Sequence, residues 1–62
     1  MSDTVRVTAI GEENYKLVSS LLNLKASHIH EEWHDIDYVS REDVEKLKNL
    51  SEKQYYVSEY ED

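Results

Sequence analysis

The sequence predicts a small α+β domain ordered strand, helix, short helix or irregular segment, helix, strand, with a two-stranded sheet packed on the helices. Three observations carry this reading. Residues 4–10 alternate with the period of a strand, residues 12–25 repeat apolar side chains with the period of a helix, and residues 53–60 are rich in tyrosine. The 62 residues make one domain, 1–62, with no visible linker or repeat, since proline is absent and there is one glycine. A chain of this size buries only about 60% of its unfolded surface, so its core is marginal. Without cysteine, neither disulfides nor thiolate metal sites can reinforce it.

In the first strand Val5, Val7 and Ala9 alternate with Arg6, Thr8 and Ile10, placing one face in the core. Gly11 supplies a turn, and Glu12 and Glu13 follow where a helix start favours negative charge. Tyr15, Leu17, Val18, Leu21, Leu22 and Leu24 then form an apolar stripe, which predicts a helix over 12–25. Residues 26–39 read as a short helix capped by Ser27, with Ile29, Trp33 and Ile36 on its core face. A strand is the rival, because Ile36 and Tyr38 also alternate with acids. Ser40-Arg41-Glu42-Asp43 fits a helix-capping pattern and opens a helix to about residue 51, whose stripe is Val44, Leu47 and Leu50. The last strand sends Tyr55 and Val57 to one face and Tyr56 and Tyr60 to the other.

Charge is the most informative bulk property. Residues 1–25 balance three acids against three bases, whereas 26–62 carry eleven acids and four bases, so the whole net charge of −7 lies there. Binding to nucleic acid releases counterions through Lys and Arg on phosphate, and this chain has the opposite sign. Direct contact with DNA or RNA is therefore not expected. A basic protein is the expected partner, in particular a nucleic-acid-binding protein or nuclease. The other account of the charge is that acidic surfaces keep small proteins soluble.

His30-Glu31-Glu32-Trp33-His34 matches the H-E-x-x-H pattern, which on a helix puts both histidines on one face to bind zinc, with the glutamate beside a bound water. The continuation that supplies a third histidine is missing, and a chain this short has little room for a substrate cleft. The favoured reading places Ile29, Trp33 and Ile36 in the core and the histidines in water, with no cofactor. Neither a nucleophile elbow nor a glycine-rich phosphate loop is present, so an enzyme is not expected.

Eleven acids extend through the second half: Glu31, Glu32, Asp35, Asp37, Glu42, Asp43, Glu45, Glu52, Glu59, Glu61 and Asp62. Gathered on one face, they would stand where backbone phosphates sit in a basic groove. In size and charge the chain resembles the phage-encoded blockers of host defence nucleases, the anti-CRISPR and anti-restriction proteins. That resemblance implies a stoichiometric inhibitor acting as a nucleic-acid mimic. Its contact charges would be Glu31, Glu32, Asp35, Asp37, Glu42, Asp43 and Glu45, with Tyr56 and Tyr60 as anchors. The alternatives are an antitoxin, immunity or regulatory module that binds one protein by shape, and a small zinc protein using His30 and His34. No apolar run approaches the roughly 18 residues that span a bilayer. Met1-Ser2-Asp3-Thr4 lacks the features of a secretory leader, so a cytoplasmic protein is expected, in the host cell if phage-encoded. The open edges of a two-stranded sheet also invite a homodimer.

Overall fold

Alternation in the first strand decides the architecture. The computed structural model describes residues 3–60, and there Thr4–Ile10 forms β1 with Val5, Val7 and Ala9 buried. After it come α1 (Glu12–Leu22), β2 (His28–Ile29), β3 (Trp33–Ser40), α2 (Arg41–Val44), a 3₁₀ turn (Glu45–Leu47) and β4 (Tyr55–Glu59). The class is α+β, as predicted. The sheet has four antiparallel strands rather than two, in the order β2-β3-β1-β4, so the first strand of the chain lies inside it.

Register defines the two faces, because directly paired residues point the same way. Val5 pairs with Val39, Val7 with Ile36 and Ala9 with His34, and across the other edge of β1 Val7 pairs with Val57 and Ala9 with Tyr55. This face is covered. Val18 and Leu22 of α1 and Leu47 of the 3₁₀ turn close over it, completing a core with Val5, Val7, Ala9, Ile36 and Val39. Each Val, Leu or Ile side chain among them, fully buried, stabilises the fold by about 1.5–3 kcal/mol.

The extra strands come from residues 26–39. The predicted short helix is instead a hairpin, closed where Ser27 N–H donates to Asp35 O at 2.7 Å and His30 N–H to Trp33 O at 2.8 Å. Of Ile29, Trp33 and Ile36, only Ile36 is buried; Ile29 is 71% and Trp33 40% exposed. The helical spacing of these residues was real but lost to β1, along which β3 forms a long antiparallel ladder.

Both helices are shorter than predicted. Helix α1 ends at Leu22, where Asn23 turns left-handed (φ 56°) and donates its N–H to Ser19 O. Leu17 and Leu21 lie on a flank of α1 turned away from the buried Val18 and Leu22, and Leu24 lies past the helix end, so all three stay substantially exposed instead of joining the core. Ser40 caps α2 as expected, accepting from Asp43 N–H at 3.1 Å, but regular helix stops at Val44. Val44, Leu47 and Leu50 recur every three residues, which matches the three-residue period of a 3₁₀ turn better than an α-helical stripe. Gly11 joins β1 to α1 with φ +86°, a conformation other residues rarely adopt, and its N–H donates to Glu32 O at 2.8 Å. That bond ties the start of α1 to the hairpin turn. Among the described residues, no helix is long and apolar enough to cross a membrane.

Candidate functional site

The uncovered face of the sheet brings together most of the chemically distinctive side chains. From β1 it takes Arg6, Thr8 and Ile10, from β3 Trp33, Asp35 and Asp37, and from β4 Tyr56 and Ser58. Register supports these placements: Ile10 pairs with Trp33, Thr8 with both Asp35 and Tyr56, and Arg6 with Ser58.

Two carboxylates organise it. Asp35 Oδ1 accepts from the Thr8 hydroxyl at 2.7 Å, and its Oδ2 lies 3.2 Å from His30 Nε2. Asp37 Oδ1 accepts from Arg6 Nε at 2.6 Å and from the Tyr60 hydroxyl at 2.9 Å, while Oδ2 is 3.6 Å from His28 Nδ1. The Arg6 hydrogen bond holds the Asp37 carboxyl below the usual carboxylate range. The same bond, together with the Asp37 charge, raises Arg6. Burial raises the Tyr60 phenol, and the neighbouring Asp37 adds to this. Arg6 also lies over the Tyr60 ring, 5.8 Å from its centroid.

A bulge in β3 shapes one end of this face. The register of β1 against β3 shifts between Val5 and Val7, and within that irregularity Tyr38 adopts φ +60°. A left-handed tyrosine is strained, and it persists here because its N–H donates to the Tyr60 hydroxyl at 2.8 Å. The Tyr38 ring packs beside that of Tyr60, with centroids 5.5 Å apart, yet the residue stays 75% exposed. At the other end His30 stacks on Trp33 at 4.7 Å. Tyr56 stands between the two ends at 62% exposure. Trp33, Tyr56, Tyr38 and Ile10 thus leave a large aromatic and apolar surface in water.

The predicted contact acids do not form one group. Glu31 and Glu32 are exposed in the hairpin turn beside Trp33. Asp35 and Asp37 lie on the open face, but their side chains are only 12% and 10% exposed and their oxygens are engaged within the fold. Glu42, Asp43 and Glu45 belong to α2 and the turn after it, on the covered side, where Asp43 pairs with Lys46 at 3.1 Å. Glu59 on β4 bonds Arg41. Glu61 and Asp62 lie outside the described residues. Tyr56 and Tyr60 share the open face as predicted, but Tyr60 is half-buried and holds the network together.

The H-E-x-x-H residues lie on the hairpin rather than on a helix, and this separates the histidines. His30 is on the open face with Trp33. His34 pairs with Ala9 on the covered face, is 9% exposed and stacks on Tyr15 of α1 at 4.4 Å with the rings nearly parallel. The expectation that the histidines face water therefore fails for His34, whose buried Nδ1 finds no hydrogen-bond partner among the described residues. The shared helical face required by the zinc reading does not form. No three His, Asp or Glu side chains among the described residues converge as a metal-ligand group.

Sequence reasoning missed Arg6, Thr8, Trp33 and Tyr38 as members of this surface. The signal available for the first two was the matched alternation of Arg6 and Thr8 with Asp35 and Asp37, which become cross-strand partners once β1 and β3 pair. No protein-family model matches the chain, and comparison with curated proteins and with solved structures likewise gives no match.

Proposed function

We propose that this protein is a non-catalytic, stoichiometric inhibitor that binds a basic, nucleic-acid-binding surface of another protein through the open face of its sheet. The observation that carries the reading is the uncovered aromatic row, Trp33, Tyr56 and Tyr38, on a chain of net charge −7. Exposed Trp and Tyr are efficient anchors because they bury large area at little cost in side-chain entropy. They also receive guanidinium and ammonium groups over their rings. Glu31 and Glu32, beside Trp33 in the turn, supply contact carboxylates. Asp35 and Asp37 set the positions of Thr8, Arg6 and Tyr60 beneath the contacts. The acids of α2 add long-range steering that is independent of direct contact. A cytoplasmic nuclease or its nucleic-acid-binding subunit, of the kind blocked by anti-CRISPR and anti-restriction proteins, fits this surface.

The test is capture from host lysate on the immobilised protein, eluted along a salt gradient and by competing DNA or RNA. The expected result is one basic nucleic-acid-binding protein, released by salt. Trp33→Ala is expected to weaken its binding by about 30-fold or more, as for a hot-spot side chain. Glu31→Lys with Glu32→Lys is expected to lower affinity and flatten the salt dependence. A partner that resists both about 0.5 M salt and nucleic acid would replace electrostatic mimicry with the shape-specific antitoxin or regulatory reading.

A further inference from the structure

The two edges of the sheet are guarded very differently. On one side β2 has only two residues, and the β3 stretch beyond it is distorted by the bulge at Tyr38. These are common ways of blunting an edge. On the other side β4 runs for five residues, Tyr55-Tyr56-Val57-Ser58-Glu59, in unbroken register with β1. It has no proline, lysine or bulge, and nothing pairs with its outer side among the described residues.

Antiparallel alternation identifies the free amides. The bond from Ile10 N–H to Gln54 O, at 3.0 Å, marks that pair as hydrogen-bonded. Every second pair then bonds in turn, so Tyr56 and Ser58 face β1 while Tyr55, Val57 and Glu59 direct their N–H and C=O groups outward. We propose that β4 is a homodimer edge, pairing antiparallel with β4 of a second copy about a two-fold axis at Val57 to make one eight-stranded sheet.

The strand is self-complementary in that register. Val57 exchanges both bonds with its own counterpart, and Tyr55 exchanges both with Glu59 of the second copy, so all three outward amides are satisfied on each side. Glu59 stands opposite a tyrosine rather than another acid, and its carboxylate is already bonded to Arg41. Beside Val57, on the covered side of the sheet, lies a depression of about 220 Å³ lined by Val5, Val44, Val57, Arg41 and Glu45. Val57 and Tyr55 of the second copy would stand at its mouth and cover its apolar floor. The opposing term is repulsion between two chains of −7, which salt screens. Dimerisation should therefore strengthen with salt, whereas binding of a basic partner weakens. This inference does not depend on the proposed inhibitor role, and the opposite salt responses keep the two tests separate.

Sedimentation velocity of the full chain up to about 1 mM, in about 0.05 M and about 0.5 M salt, measures the association directly. The expected result is a dimer fraction that rises with concentration and with salt. Amide exchange at Tyr55, Val57 and Glu59 should slow by about tenfold or more in the dimer, while Tyr56 and Ser58 change little. Val57→Pro removes the central outward N–H and should leave a monomer. Val57→Lys, which places two ammonium groups on the axis, should do the same with circular dichroism unchanged. A monomer at the highest concentration in high salt would overturn the proposal. So would a dimer that survives Val57→Lys, or one whose protection appears on α1 at Leu17 and Leu21.

Discussion

The covered and open faces of the sheet are built from the same three long strands, yet they are held together by different physics. On the covered face, Val5, Val7, Ala9, Ile36 and Val39 meet Val18, Leu22 and Leu47, and stability comes from removing aliphatic surface from water. On the open face, Arg6, Thr8, Asp35, Asp37 and Tyr60 satisfy one another at the rim of solvent, and the aromatic rings above them remain wet. The first face provides the stability. The second has directional contacts and exposed rings, the combination suited to recognition. A domain this small has only one face to commit to a core, so its remaining sheet surface is free to serve another purpose.

The comparison breaks most visibly at the covered face. Ile36→Ala is expected to cost about 2–5 kcal/mol, the range for truncating a buried aliphatic residue. At about 0.05–0.15 kcal/mol per residue, total stability for a domain of this size is only about 3–9 kcal/mol. A urea titration followed by circular dichroism should therefore show the midpoint falling sharply, with the variant wholly unfolded if the parent lies at the low end of that range. The open face should respond to pH. Asp37 is held low by Arg6, so its contribution is present above the ordinary carboxylate range and is lost as pH falls through the folded value. Tyr60 is raised by burial, so its contribution is present below about pH 10 and is lost as pH climbs beyond that. Thermal unfolding across pH should show both losses, with Asp37→Asn flattening the acid limb and Tyr60→Phe the alkaline one. The smallest effect belongs to the exposed rings. Tyr56→Ser should change stability by no more than about 0.5 kcal/mol, as at other surface sites, while weakening partner binding. A large loss of stability there would mean that Tyr56 is structural.

What the sequence revealed follows the same division. The buried alternation of β1 and the faces of β4 were legible because period two is a local signal, and Ser40 was legible because capping is decided within four residues. The hairpin at 26–39 was not, since Ile29, Trp33 and Ile36 also fit a helix and only the ladder to β1 settles the competition. The same concealment governed the site. Asp35 and Asp37 read as contact acids because their consumers, Arg6, Thr8 and Tyr60, lie more than twenty residues away in the chain. Tyr38 was invisible as a member of the surface because its orientation comes from a bulge, which depends on how two strands fail to match.

The position of β1 also has a kinetic consequence. The first strand of the chain lies inside the sheet, with Val5 paired to Val39 on one side and Glu59 on the other. Neither partner is a sequence neighbour, so the chain must close long loops before any apolar pair across the sheet is gained. Folding should run in milliseconds to seconds rather than microseconds, limited by chain closure more than by growth of α1. Until β3 and β4 arrive, Val5 and Val7 are an exposed strand seeking a neighbour, and dilution or a chaperone would serve this chain better than a faster helix.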